Sequence, residues 1–177
     1  TFLRIDRAGA QAQPALLSTI VNYAAPPDSS NAMLYVFKGL GGGFPGRFSA
    51  MPYFVKVAEY TNHESRELWE YPLNLSPAQL DLIIQHLWEL DSTHFDYYFL
   101  SENCSYHLLA LLRLAHPDLP TKDRFWVWTL PIDTIRVVRD GGVAGLPVRR
   151  PSHLSMLRAR RDLLERGGAG GAADAVR

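Results

Sequence analysis

The amino-acid sequence predicts an α+β domain in which an antiparallel sheet, drawn mainly from the first part of the chain, packs against helices that follow it. Three observations carry this reading. Extended segments dominate up to Leu73, two well-bounded amphipathic helical stretches come after Ser76, and 177 residues at 47% hydrophobic suffice for one core but are few for two.

Thr1 to Asp6 (TFLRID) reads as a half-buried strand, Ala8 to Pro14 as a turn-prone stretch, and Leu16 to Tyr23 as a second extended run rich in β-branched and aromatic residues. Pro26, Pro27, Asp28, Ser29 and Ser30 break that run. Met33 to Phe37 reads as a short apolar strand feeding a glycine-dense loop, Gly39 to Arg47, after which Tyr53 to Tyr60 and Arg66 to Leu73 resume strand character.

The first helix is marked by Ser76, with Pro77 in its first turn and Gln79 three residues after the serine, the arrangement of a capping box. Leu80, Ile83, Ile84 and Leu87 give it one apolar face. A short aromatic segment, Phe95 to Leu100, leads into Ser101-Glu102-Asn103-Cys104, where a second helix starts and runs to about Ala115 before His116-Pro117 stops it. Phe125-Trp126-Val127-Trp128 follows, then a helical segment from Asp133 to Arg139. An arginine-bearing amphipathic helix spans 152–166, with Leu154, Leu157 and Leu164 on its apolar side, and 167–177 reads as a flexible tail. The expected division is therefore a main domain over 1–151, the helix 152–166 and the tail.

Eighteen basic and eighteen acidic side chains cancel, so no overall field draws the chain to nucleic acid. No apolar run approaches the roughly 20 residues of a membrane span. A single cysteine forms no intramolecular disulfide and leaves the redox compartment open. Beginning in mid-strand at Thr1, the chain reads as a piece of a longer one. No histidine pair has metal-ligand spacing with supporting cysteines or carboxylates, so no metal and no cofactor is expected.

The residue with most chemistry to offer is Cys104. Whether Ser101 or Asn103 is the N-cap, it falls in the first helical turn, where unpaired amides and the positive end of the helix dipole favour a thiolate. The competing reading is a small buried hydrophobe, because Cys104, Leu108, Leu111, Leu112 and Ala115 share a face. A thiol nucleophile also needs a base. His107, three residues on, lies on neighbouring helical surface and reads equally as that base, as a supporting group behind it, or as a satisfied core residue. Gly39-Leu40-Gly41-Gly42-Gly43 lacks the Gly-Lys-Ser/Thr ending of a phosphate loop. It reads as a tight, mobile crossing beside a cleft, with Gly42 and Gly43 offering backbone to a substrate and Arg47 an anion contact.

Thr1-Phe2-Leu3-Arg4, Gly39 to Phe48, Leu68-Trp69-Glu70-Tyr71 and Ser101-Glu102-Asn103-Cys104-Ser105-Tyr106-His107 together resemble the Lnb N-terminal periplasmic domain family, over roughly Thr1 to Pro151. That resemblance implies a periplasmic domain of the bacterial cell envelope, acting in N-acylation of lipoproteins, with a permuted papain-like order of parts shared with lecithin retinol acyltransferase-like proteins. Their Asn-Cys-x-His element is one residue shorter than the one here. It further implies a Gly-His element before Thr1 that supplies the base, so the domain is read as truncated at its N-terminal edge. The implied chemistry is acyl transfer through a thioester on Cys104, with backbone amides at the helix start as oxyanion site and Asn103 and Tyr98 in orienting or oxyanion roles. The implied partners are a lipid or lipoprotein substrate and a membrane surface, with the domain part of a longer membrane-associated chain. Two alternatives stand beside this one: a cysteine peptidase, amidase or lipid hydrolase of the envelope, and a non-catalytic binding module using the arginines from Arg149 to Arg166.

Overall fold

The computed structural model describes residues 1–7, 15–26, 32–120 and 128–174, with the backbone alone at 62, 63 and 166–174. The turn-prone stretch at 8–14, the break at 27–30 and the aromatic residues 125–127 lie outside the described residues. The fold is α+β, with six helices and a four-stranded antiparallel sheet among those residues.

Two compact units make up the chain. The first comprises Thr1–Tyr53 and Pro72–Leu146. Its sheet runs β1 (Phe2–Ile5), β2 (Thr19–Ala24), β3 (Phe44–Pro52) and β5 (Phe95–Tyr97), in that spatial order and antiparallel throughout. The β1 and β2 ladder pairs Phe2 with Asn22 and Ile5 with Thr19; β2 and β3 pair from Thr19 with Pro52 to Ala24 with Arg47. Alternation along β2 puts Val21 and Tyr23 on a buried face.

Two segments expected as strands are helical. Met33 to Phe37 belongs to α1 (Ala32–Gly41), because β2 and β3 pair directly with each other and leave no ladder for a strand between them. A continuous apolar run has no period of its own, so tertiary pairing decides its state. Tyr53 to Tyr60 is α2 (Tyr53–Val57) followed by a π-helical turn at Ala58–His63. Pro52 lacks an amide to extend the ladder, and the next amide, that of the wholly buried Tyr53, turns back to the Ser18 carbonyl at 2.8 Å.

α3 (Pro77–Glu89) opens on the expected capping box: the Ser76 hydroxyl accepts from the Gln79 amide at 3.3 Å, and the Gln79 side chain accepts from the Ser76 amide at 2.9 Å. α4 (Cys104–Ala115) packs against β1, β2, α3 and α5 (Pro131–Asp140). Leu109, Leu111, Leu112 and Ala115 of α4 join Ile83, Leu119, Val137, Val138 and Val143 in the core. Burying such side chains stabilises the fold by about 1.5 to 3 kcal/mol each, and this anchors the helix whose start carries Cys104.

The second unit comprises Phe54–Tyr71 and Pro147–Arg177. It holds a two-stranded antiparallel ribbon of β4 (Leu68–Glu70) and β6 (Val148–Arg150), and α6 (His153–Asp174). Arg149 pairs with Glu67 and Arg150 with Glu70 at 3.0 Å, and the Ser155 hydroxyl donates to Glu67 at 2.8 Å. Those bonds hold the Glu67 carboxyl down at about 2. Ser152, 1% exposed, accepts from the Ser155 amide and starts α6. Leu154, Leu157 and Leu164 are exposed on it, and its backbone stays helical through the glycines at 167–171 to Asp174. No helix among the described residues is long and apolar enough to cross a membrane.

Candidate active site at the start of a helix

Asn103, not Ser101, is the N-cap of α4, in extended backbone. Its Oδ1 accepts from the Ser105 amide at 3.0 Å and the Tyr106 amide at 3.4 Å, and its Nδ2 donates to the carbonyls of Thr129 at 2.7 Å and Phe99 at 3.2 Å. One side chain, 8% exposed, thus caps the helix and ties it to two loops. Cys104 follows, half-buried and free, and outside the hydrophobic core cluster.

The hydroxyl that meets Cys104 belongs to Tyr97. The Cys104 amide donates to the Tyr97 Oη at 3.3 Å. Burial, with the charge of Cys104 beside it, pushes the Tyr97 phenol up to about 12, so it stays protonated. Tyr98 sits elsewhere: its ring covers Gly42, where an added Cβ would lie 2.3 Å from the Tyr98 Cζ. Sequence reasoning singled out Tyr98 and missed Tyr97. The signal was the cross-strand pairing of Tyr97 with Phe44 at the end of β5, which aims consecutive side chains apart.

His107 is 9% exposed and enclosed by aromatic rings: Tyr23 stacked at 4.0 Å, Tyr106 at 5.3 Å, Phe95 at 5.4 Å and Phe48 edge-on at 6.5 Å. Its Nε2 is buried and without a hydrogen-bond partner. Burial holds the imidazole below its usual pKa, with the charge of Glu102 pulling the other way. Tyr23 passes this packing on, since its ring also stacks on Tyr97 at 5.7 Å and its hydroxyl donates to the Phe95 carbonyl.

The glycines of the Gly39 to Arg47 segment seat these rings. Gly42, at φ +76°, is the left-handed residue that ends α1, and the Gly43 amide returns to the Lys38 carbonyl at 2.7 Å. A Cβ at Gly39 would lie 2.2 Å from the Phe99 ring, and one at Gly46 2.3 Å from the Tyr23 hydroxyl. Gly43 and Arg47 are exposed, Arg47 on β3 opposite Ala24.

The start of β1 also reaches α4: the hydroxyls of Thr1 and Ser105 are 3.0 Å apart. Among the described residues no group of three or more His, Cys, Asp or Glu side chains is placed to hold a metal ion. Chemically, the arrangement offers a half-exposed thiol, a tyrosine hydroxyl on the amide of the same residue, and a helix start whose amides are already paired.

In comparison with known proteins, the family model described as the Lnb N-terminal periplasmic domain matches residues 1–141. No curated protein and no solved structure matches the chain.

Proposed function

The chain belongs to the Lnb N-terminal periplasmic domain family and is a periplasmic domain, and from that premise we propose that it is a thiol-dependent acyltransferase domain of the bacterial envelope. The observation that carries the reading is Cys104 itself, half-buried in the first turn of α4 with its amide bonded to Tyr97, and outside the core cluster. A lipid ester is the donor and a lipoprotein amine the acceptor, the substrates that the resemblance implies.

In the proposed reaction the Cys104 sulfur attacks the ester carbonyl, forming a carbon–sulfur bond as the carbonyl electrons move to oxygen. The adduct collapses, the carbon–oxygen ester bond breaks, and the departing alkoxide takes up a proton as lysolipid. An amine then attacks the thioester, the amide forms and the thiol returns. The base would be a histidine preceding Thr1; the contact between Thr1 and Ser105 supports this, because it brings that end of β1 to the residue next to Cys104. His107 would support the site by packing, through Tyr23, behind Tyr97. Asn103 would fix the helix start, and the exposed Gly43 and Arg47 would border the donor, with Gly42 buried under the Tyr98 ring and set back from it.

The test is to incubate the intact protein with phospholipid vesicles and a synthetic peptide bearing an S-diacylglyceryl cysteine with a free amine, and to follow the peptide by mass spectrometry. An N-acylated peptide formed by the wild type and lost in Cys104→Ser is the expected result. Free fatty acid in place of acylated peptide would make the domain a hydrolase. Equal yields from wild type and Cys104→Ser would refute a thiol mechanism.

A further inference from the structure

Charge that develops on the carbonyl oxygen during attack needs a hydrogen-bond donor, and a helix start normally offers its unpaired amides. Here those amides are taken. The Cys104 amide donates to Tyr97, those of Ser105 and Tyr106 donate to the Asn103 side chain, and that of His107 donates to the Asn103 carbonyl at 3.1 Å. Recruiting any of them means breaking a bond that holds the cap together. The Tyr97 hydroxyl differs. It accepts from the Cys104 amide through its oxygen, which leaves its own proton out of that bond.

We propose that the Tyr97 hydroxyl, not the helix-start amides, is the oxyanion donor of the acyl-transfer reaction, which makes Tyr97 a catalytic residue of this domain. The inference rests on the thioester reading above. The hydroxyl is held one hydrogen bond from the backbone of the residue that carries the sulfur. Attack forms the carbon–sulfur bond and places negative charge on the carbonyl oxygen. The hydroxyl proton then donates to that oxygen. No proton leaves Tyr97: burial keeps the phenol protonated, and the Cys104 amide held on its oxygen polarises the O–H bond toward the new acceptor. The ring is fixed for this task, stacked on Tyr23 at 5.7 Å and set edge-on to Phe99 at 6.2 Å.

The test compares two reactions of Cys104 in the intact protein: acylation by p-nitrophenyl butyrate, which builds an oxyanion, and alkylation by iodoacetamide, which does not. Tyr97→Phe keeps the ring and its packing. It is expected to slow acylation on the order of 100-fold while changing alkylation far less, with the melting temperature lowered only by the loss of one hydrogen bond. Tyr98→Phe is expected to leave both rates near wild type. Loss of acylation and alkylation in equal proportion would overturn the inference by showing that Tyr97 acts on the sulfur alone, and unchanged acylation in Tyr97→Phe would overturn it outright. A wild-type protein that is alkylated but never acylated would instead refute the thioester reading beneath it.

Discussion

The first turn of α4 and the two turns that follow it are built on opposite rules. In the first turn, Asn103 satisfies two amides and two loop carbonyls through one side chain, Tyr97 takes a third amide, and Cys104 is left half-exposed among polar groups. One turn later His107 is shut among four aromatic rings with an unpaired nitrogen, and beyond it Leu109, Leu111 and Leu112 are core. The difference teaches that stability is invested in the body of the helix and that its start is held by directional bonds. Removing the thiol should therefore cost little, and removing what lies behind it should cost much.

Leu112→Ala sharpens this most. Leu112 is buried in the main cluster, and the cavity left should cost about 2 to 5 kcal/mol in chemical denaturation. Asn103→Ala comes next. It removes the cap and leaves the buried Thr129 carbonyl without its donor, for a combined cost of about 2 to 3 kcal/mol. The same substitution should slow Cys104 alkylation by loosening the turn.

A smaller effect is expected from pH at His107. Its folded pKa lies below its ordinary value, so the folded state resists protonation while the unfolded chain accepts it. Stability should hold above pH 6.5 and fall as pH drops from there through the lowered folded value. His107→Phe, which keeps an aromatic ring in the box, should flatten that slope in melting temperatures taken from pH 8 to 5. An unchanged slope would show that another group carries the acid sensitivity. The smallest effect belongs to Cys104→Ala, whose half-exposed position predicts a stability change within about 0.5 kcal/mol. A loss comparable to Leu112→Ala would erase the contrast between the turns and make Cys104 a core residue.

What was legible in the sequence follows the same division. Local chemistry with a fixed spacing is readable: residue types alone give the Ser76 and Gln79 capping box, narrow the cap of α4 to Ser101 or Asn103, and place the limits of α3 and α4 to within a few residues. The leucine face of α4 was readable too, since Leu108, Leu111, Leu112 and Ala115 are all buried, though Cys104 at its end is only half-buried. What depends on contacts between distant segments was not. Met33 to Phe37 reads apolar in either state, and only the direct pairing of β2 with β3 makes it a helix. The glycines from Gly39 to Gly46 look like a mobile loop until the rings of Phe99, Tyr98 and Tyr23 are placed on them. Choosing between Tyr97 and Tyr98 needs the end of β5, a three-residue strand that the aromatic run conceals.

The most direct test of a thiol acyl carrier is to trap it. The intact protein would be quenched in acid after brief exposure to a diacyl phospholipid and its peptides mapped by mass spectrometry. An acyl adduct on the peptide containing Cys104, released by neutral hydroxylamine and absent from Cys104→Ala, is the expected result. A folded protein whose Cys104 remains an unmodified thiol at every time point, while its lipid substrate is consumed, would contradict it.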